Sequence, residues 1–259
     1  MFVKRPDAHL LSLSFGQGPQ TMLAVGGWVA SGEMWHEVIG YLPHWRCVTY
    51  DHRGSGASTH SGPITVAAMV DDLFAVMDAQ RIDRCVLAAE SSGAGVALEA
   101  VLRAPERFIG LVLCGASWKR PLPGQYDAFI GRLRKDFDAE LHAFVAGCVP
   151  ESDGDDVRRW GHHILRRASL QSAIELLECR SALTAEDRLA EVHVPTLLIH
   201  GTKDYISSLA HSQELAKALP DAALELMPDL GHVPIVTAPA DVARLIAQRF
   251  DAVAEKEAA

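Results

Sequence analysis

The stretch Cys85-Val86-Leu87-Ala88-Ala89-Glu90-Ser91-Ser92-Gly93-Ala94-Gly95-Val96-Ala97-Leu98 decides the reading of this chain. It begins as an apolar run of strand length and continues as a small-residue run suited to a helix packed closely on a sheet. Strand, sharp turn and helix follow one another, with a serine at the apex. That turn strains the serine backbone, so only small residues fit two positions before and after it, here Ala89 and Gly93. The hydroxyl is thereby exposed, and the new helix points its first amides at whatever the serine attacks. Taken alone the motif also suits a serine helix cap, so the rest of the chain must decide. Ser92 is the rival nucleophile, but Glu90 and Ala94 flank it at two positions and the small-residue spacing fails.

Outward from this point, strand-like and helix-like segments alternate, the signature of a parallel sheet covered by helices. Leu11 to Phe15, Thr21 to Val25, Trp45 to Tyr50, Arg84 to Ala88, Phe108 to Cys114, Pro195 to His200 and Ala223 to Met227 read as strands. Val66 to Gln80 has helical spacing, with Val70, Leu73, Val76 and Met77 on one face, and Asp241 to Phe250 reads as a closing amphipathic helix. Val253 to Glu257 reads as a helix end or frayed tail. From about Trp118 to Glu191 the rhythm breaks into helical pattern alone, mostly Tyr126 to Val145 and Asp155 to Leu177. The expected division is a core of residues 1–117 and 191–259 with a helical cap of residues 118–190 over the sheet's C-terminal edge, where ligands bind in open α/β sheets.

A serine hydroxyl is a poor nucleophile at neutral pH and needs a base that a carboxylate orients. Leu197-Leu198-Ile199-His200-Gly201-Thr202-Lys203-Asp204 places an acid just past a buried strand, and Met227-Pro228-Asp229-Leu230-Gly231-His232 places a histidine just past the final one. Asp51 and Arg53 form a tempting charged pair in a loop and read as structural.

These pieces, with Gly26-Gly27-Trp28 and Tyr50-Asp51-His52-Arg53-Gly54-Ser55-Gly56, make the chain resemble α/β-hydrolase-fold proteins of the capped, single-domain esterase and enol-lactonase type. The resemblance runs from about Leu11 to Phe250 and is weakest in the cap. It implies a mostly parallel central sheet flanked by helices, with a helical cap insertion. It also implies Ser91 as nucleophile, His232 as base and Asp204 as orienting acid, with the backbone N–H groups of Trp28 and Ser92 holding the oxyanion. Gly27, Trp118, Trp160 and Val233 are candidate pocket residues. The sequence departs from the family in Ala89, where glycine is usual, in Glu90, expected to hydrogen-bond behind the elbow, and in Gly26, where many relatives have histidine.

The activity this implies is hydrolysis of a small carboxylic ester, lactone or thioester. Carbon–carbon bond hydrolases and perhydrolase-type haloperoxidases share the triad, and some proteins of this fold are receptors or regulators with little turnover. Dehalogenases and epoxide hydrolases place Asp at the apex, so Ser91 argues against both.

Composition narrows the partners. The 259 residues are 49% hydrophobic and 22% charged, enough apolar material for one large domain. A net charge of −9 argues against nucleic acid. No run reaches the ~18–20 apolar residues of a membrane span, and the first residues lack a signal-peptide apolar region. Five scattered cysteines favour reduced thiols and a cytoplasmic protein. The adjacent His162 and His163 point to different helix faces and make poor joint metal ligands. The expectation is therefore a small-molecule substrate with no metal, cofactor, nucleic acid or membrane partner; oligomeric state is open.

Overall fold

The computed structural model describes the backbone of residues 1–257 and the side chains of residues 1–251. Its strands are β1 (Phe2–Lys4), β2 (Ala8–Phe15), β3 (Gln20–Val25), β4 (Trp45–Tyr50), β5 (Thr59–His60), β6 (Cys85–Glu90), β7 (Phe108–Cys114), β8 (Thr196–Gly201) and β9 (Ala222–Met227). The helices are α1 (His36–Gly40), α2 (Val66–Ala79), α3 (Gly93–Arg103), α4 (Asp127–Lys135), α5 (Phe137–Cys148), α6 (Asp155–Leu165), α7 (Leu170–Glu178), α8 (Leu209–Ala218), α9 (Pro234–Thr237) and α10 (Pro239–Glu257).

The strands form one sheet in the order β1-β2-β4-β3-β6-β7-β8-β9, with β5 paired to β2. Every neighbour from β4 to β9 pairs in parallel, while β2 runs antiparallel to both β1 and β4. All six residues of β6 and of β8 are buried, as strands covered on both faces must be. On α2, Val66, Met69, Val70, Leu73, Val76 and Met77 turn inward, and the Thr65 hydroxyl caps the helix by accepting from Ala68 N–H. The small side chains of α3 let it lie close against the sheet behind Ser91.

β6 extends two residues beyond the Arg84–Ala88 expectation because Ala89 and Glu90 still pair with Leu113 and Cys114 of β7. The two long helical segments each divide. Asp136 adopts extended backbone and caps α5 by accepting from Ala139 N–H, and Ser169 does the same for α7 with Ser172 N–H. β1 and β5, at three and two residues, are too short to carry a period and escaped the sequence reading. The Val253–Glu257 stretch forms the end of α10. No helix among the described residues is long and apolar enough to cross a membrane.

The loop after β4 is held by charge. Arg53 Nε and Nη2 donate to Asp72 Oδ2 and Oδ1 at 2.6 and 2.8 Å, and Nη1 donates to Asp7 and to Pro63 O, both at 3.0 Å. Asp51 accepts from Gly32 N–H and Ala57 N–H, so Asp51 holds backbone while Arg53 is taken up by Asp72 and Asp7. Arg53 and Asp72 are both fully buried, and removing Asp72 leaves the buried guanidinium with the part-exposed Asp7 as its remaining carboxylate. Asp72→Ala is therefore expected to lower the unfolding free energy by about 3–5 kcal/mol, read by urea denaturation at neutral pH.

Candidate active site

Four loops meet at the C-terminal ends of β3, β6, β8 and β9 and carry Trp28, Ser91, Asp204 and His232. Ser91 has φ +50°, the left-handed region that an L-residue enters only under constraint. The constraint is close packing. A Cβ on Gly93 would lie 2.7 Å from Gly26 O, and one on Gly27 would lie 2.5 Å from Glu90 Oε2 and 2.7 Å from Ser91 Cβ. Ser91 N–H donates to Cys114 O and Ser91 O accepts from Ser117 N–H, which anchors the turn to the strand beside it.

His232 Nε2 lies 2.8 Å from Ser91 Oγ, and His232 Nδ1 lies 2.8 Å from Asp204 Oδ2. Asp204 Oδ1 accepts from the N–H groups of Ile206 and Ser207 at 2.8 and 2.9 Å. The histidine loop is tied to the helical segment, since His232 N–H donates to Cys148 O and Gly231 N–H to Glu151 Oε1. Burial pushes the Asp204 carboxyl up, but the hydrogen bond and charge of His232 and the two loop amides hold it below its usual value. Burial pushes His232 down, but the hydrogen bond and charge of Asp204 and the charge of Glu90 outweigh it and leave the imidazole above its usual value. Among the described residues, no protein acceptor takes the N–H of Trp28 or of Ser92. Both amides lie in the two loops that frame the Ser91 hydroxyl.

Glu90 does more than support the elbow from behind. Oε2 accepts from Gly27 N–H at 2.7 Å, and Oε1 sits 3.5 Å from His232 Nε2. Its carboxyl is 3% exposed, and burial raises its pKa against the opposing pull of His232 and the Gly27 amide. Gly27 is thereby a strut between Glu90 and Ser91, not the pocket residue expected from sequence.

Two spaces open on Ser91, with Trp28 and Phe144 bordering both. One is a narrow, largely apolar chamber of about 40 Å³, walled by Met34, Val157, Trp160, Val233 and His232 among others. A water-sized group needs roughly 10–15 Å³ by this measure, so the chamber suits a short apolar group. The other is an open cleft of about 680 Å³, bordered by Ser92, Tyr126, Phe129, Arg132, Glu140 and Arg180 among others. Trp28 is fixed as the partition. Its Nε1 donates to Ala173 O at 2.8 Å, and its ring meets Phe129 and Phe144 at centroid distances of 5.2 and 5.0 Å.

Trp118 lines neither space. It is buried, and its Nε1 donates to His211 O, which makes it a packing residue of the loop after β7. Sequence reasoning passed over Met34, Phe144, Val157 and Arg180, none of which stands in a motif. His162 gathers with Asp138 and His142 of the neighbouring helix rather than with His163. The His142 and His162 rings stack at 3.5 Å with an 11° interplanar angle, so one ion could not lie in both ring planes.

The chain matches the model of the family described as serine aminopeptidase, S33, over residues 21–236. It is 30% identical over 239 residues to a Caulobacter sp. (strain K31) protein named "Putative carbamate hydrolase RutD", covering 85% of this chain and 86% of that one. It is 31% identical over 250 residues to the pimeloyl-(acyl-carrier protein) methyl ester esterase of Aromatoleum aromaticum, covering 87% and 96%. In three dimensions it is similar to an esterase from Exiguobacterium antarcticum, with a TM-score of 0.88 at 20% identity over 95% of this chain and 97% of that one. A likeness at that identity speaks for the fold, and the family match speaks for the class of enzyme. Strand order, elbow and family match converge, and the chain belongs to the serine aminopeptidase, S33 family as a hydrolase of the α/β-hydrolase fold.

Proposed function

We propose that this chain is a serine hydrolase that cleaves a small carboxylic ester, lactone or thioester through an acyl-enzyme on Ser91. The observation that carries the reading is the unbroken hydrogen-bonded line from Ser91 Oγ through His232 to Asp204, 2.8 Å at each junction. In the first step the Ser91 Oγ–H proton passes to His232 Nε2 as Oγ bonds to the carbonyl carbon. The negative charge that develops on the carbonyl oxygen is held by the N–H groups of Trp28 and Ser92, each worth about 3–4 kcal/mol at the transition state. When the intermediate collapses, the proton on Nε2 goes to the departing oxygen or sulfur. Water then attacks the acyl-enzyme, giving a proton to His232, and the acid leaves as that proton returns to Ser91. Asp204 holds the tautomer with hydrogen on Nδ1 and stabilises the imidazolium.

A carbamate, the substrate class in the relatives' name, has an acyl carbon open to the same attack. In this reading residues 118–190 act as the cap, supported by Phe144 and Trp160 of that segment lining the chamber. Small-molecule specificity and a cytoplasmic location belong to the same proposal.

Three outcomes test it. Ser91→Ala is expected to lose at least about a thousandfold in kcat/KM on short p-nitrophenyl esters while its melting temperature stays near the wild type; undiminished turnover would remove the mechanism. The base must be neutral to accept a proton, so kcat/KM falls as pH drops through the raised pKa of His232. Glu90→Gln removes one of the two charges facing His232, the other being Asp204, and should move that acid limb down by about one pH unit; an unmoved limb in the pH–rate profile would contradict the electrostatic role of Glu90. Trp160→Ala enlarges the narrow chamber and should shift the chain-length optimum of a C2–C10 ester series from short toward longer members.

A further inference from the structure

Arg180 is a buried cation without an anion. It is 8% exposed, and no carboxylate lies within ion-pairing distance among the described residues. Its Nη2 donates to Ser117 O and Ser117 Oγ at 3.0 Å and to Lys119 O at 3.2 Å, all neutral acceptors. Its Nε has no partner at all. Nη1 makes no hydrogen bond to the protein among the described residues and is not shut away from solvent as Nε is. Arg53 shows what this chain does elsewhere with a buried guanidinium: it supplies two carboxylates. An isolated charge in the interior is costly to maintain unless something pairs with it.

The position of Arg180 says what that partner is. It borders the open cleft together with Ser91 and Ser92. The Ser117 that it grips is the residue whose N–H bonds Ser91 O, so guanidinium and nucleophile are fixed to one loop. The guanidinium carbon lies over the Tyr126 ring, 5.9 Å from its centroid. The other charges on the cleft cancel, because Arg132 Nε donates to both carboxylate oxygens of Glu140 at 2.9 and 3.0 Å. The cleft thus keeps one net positive charge in a protein of net charge −9. Burial works against the charged form and lowers the Arg180 pKa, a cost that a bound anion would offset.

We propose that Arg180 binds a carboxylate of the substrate in the open cleft, so that the preferred substrate is an acyl derivative with a short apolar portion in the narrow chamber and a carboxylate-bearing portion in the cleft. The planar guanidinium suits one carboxylate. The inference rests on the serine-hydrolase reading for the reaction, but not for the binding.

The test compares each anionic ester with its neutral amide isostere. Monomethyl glutarate is set against methyl glutaramate, which places the charge on the acyl side. Butyryloxyacetate is set against butyryloxyacetamide, which places it on the alcohol side. The wild type is expected to favour the anion in kcat/KM by tenfold or more in at least one pair, and Arg180→Gln to bring that ratio to about one. Arg180→Lys, which keeps the charge, should retain part of the preference. A wild-type ratio at or below one in both pairs, or a ratio that survives Arg180→Gln, would overturn the proposal. Calorimetric titration of glutarate and glutaramide into the wild type separates the two readings. Tighter glutarate binding supports the Arg180 site even if Ser91 proves unreactive, and equal binding overturns it whether or not esters are turned over. If Arg180→Gln does not fold, this wild-type titration and the Lys variant decide.

Discussion

Holding Ser91 at a φ of +50° requires backbone packed tightly on both sides of the turn. Gly93 meets Gly26 O and Gly27 meets the Ser91 side chain, so the elbow and the loop after β3 are wedged together where no larger residue fits. The buried parallel strands β3 and β6 supply the rigidity, pairing Val25 with Ala89 just before both loops begin. Everything else about the site follows from this contact. It exposes the hydroxyl to His232, brings the free amides of Trp28 and Ser92 to the same side, and leaves room for Glu90 to bond Gly27 N–H.

The site is also uneven. On one side of Trp28 lies a tight apolar chamber, on the other a wide cleft carrying charged groups. The partition is stiff because the indole is bonded to Ala173 and wedged against Phe129 and Phe144, all on the helical segment. The same segment holds the histidine loop through Cys148 O and Glu151. Sheet loops and helices therefore do not act as independent halves: the helices that wall the two spaces also hold the His232 loop. A helix displacement would disturb both at once.

Buried charge in this protein divides into two kinds. Arg53 with Asp72, and His232 with Asp204, are compensated within the chain, and each fixes a loop. Among the described residues Arg180 is held by neutral oxygens, Glu90 faces a backbone amide and an imidazole edge, and buried Asp51 accepts from backbone amides. Arg180 and Glu90 border the spaces that open on Ser91, whereas Asp51 fixes the loop after β4. Uncompensated burial is unfavourable for folding, and strained or electrostatically perturbed groups gather at functional sites more than elsewhere.

Much of the core was legible in the chain itself. Apolar runs at strand length and the helical period of Val70, Leu73, Val76 and Met77 reflect local rules that tertiary packing here reinforces. The small residues flanking Ser91 and the order Ser91, Asp204, His232 pointed to the candidate site, because a strained turn and a hydrogen-bonded Ser–His–Asp line restrict residue type at each position. The breaks at Asp136 and Ser169 were less visible, since a capping side chain inside a helical pattern resembles a surface residue until its backbone turns. Trp118 and Trp160 looked alike in sequence, yet one packs against His211 and the other walls the chamber. Arg180 stands in no motif, and only long-range packing shows that no carboxylate reaches it among the described residues. Sequence determined the fold and pointed to the candidate site, because these depend on neighbouring residues and chain order. Tertiary structure alone decided which side chains border the substrate spaces and which charges stay unpaired, because those facts depend on what distant segments bring, or fail to bring, within a few ångströms.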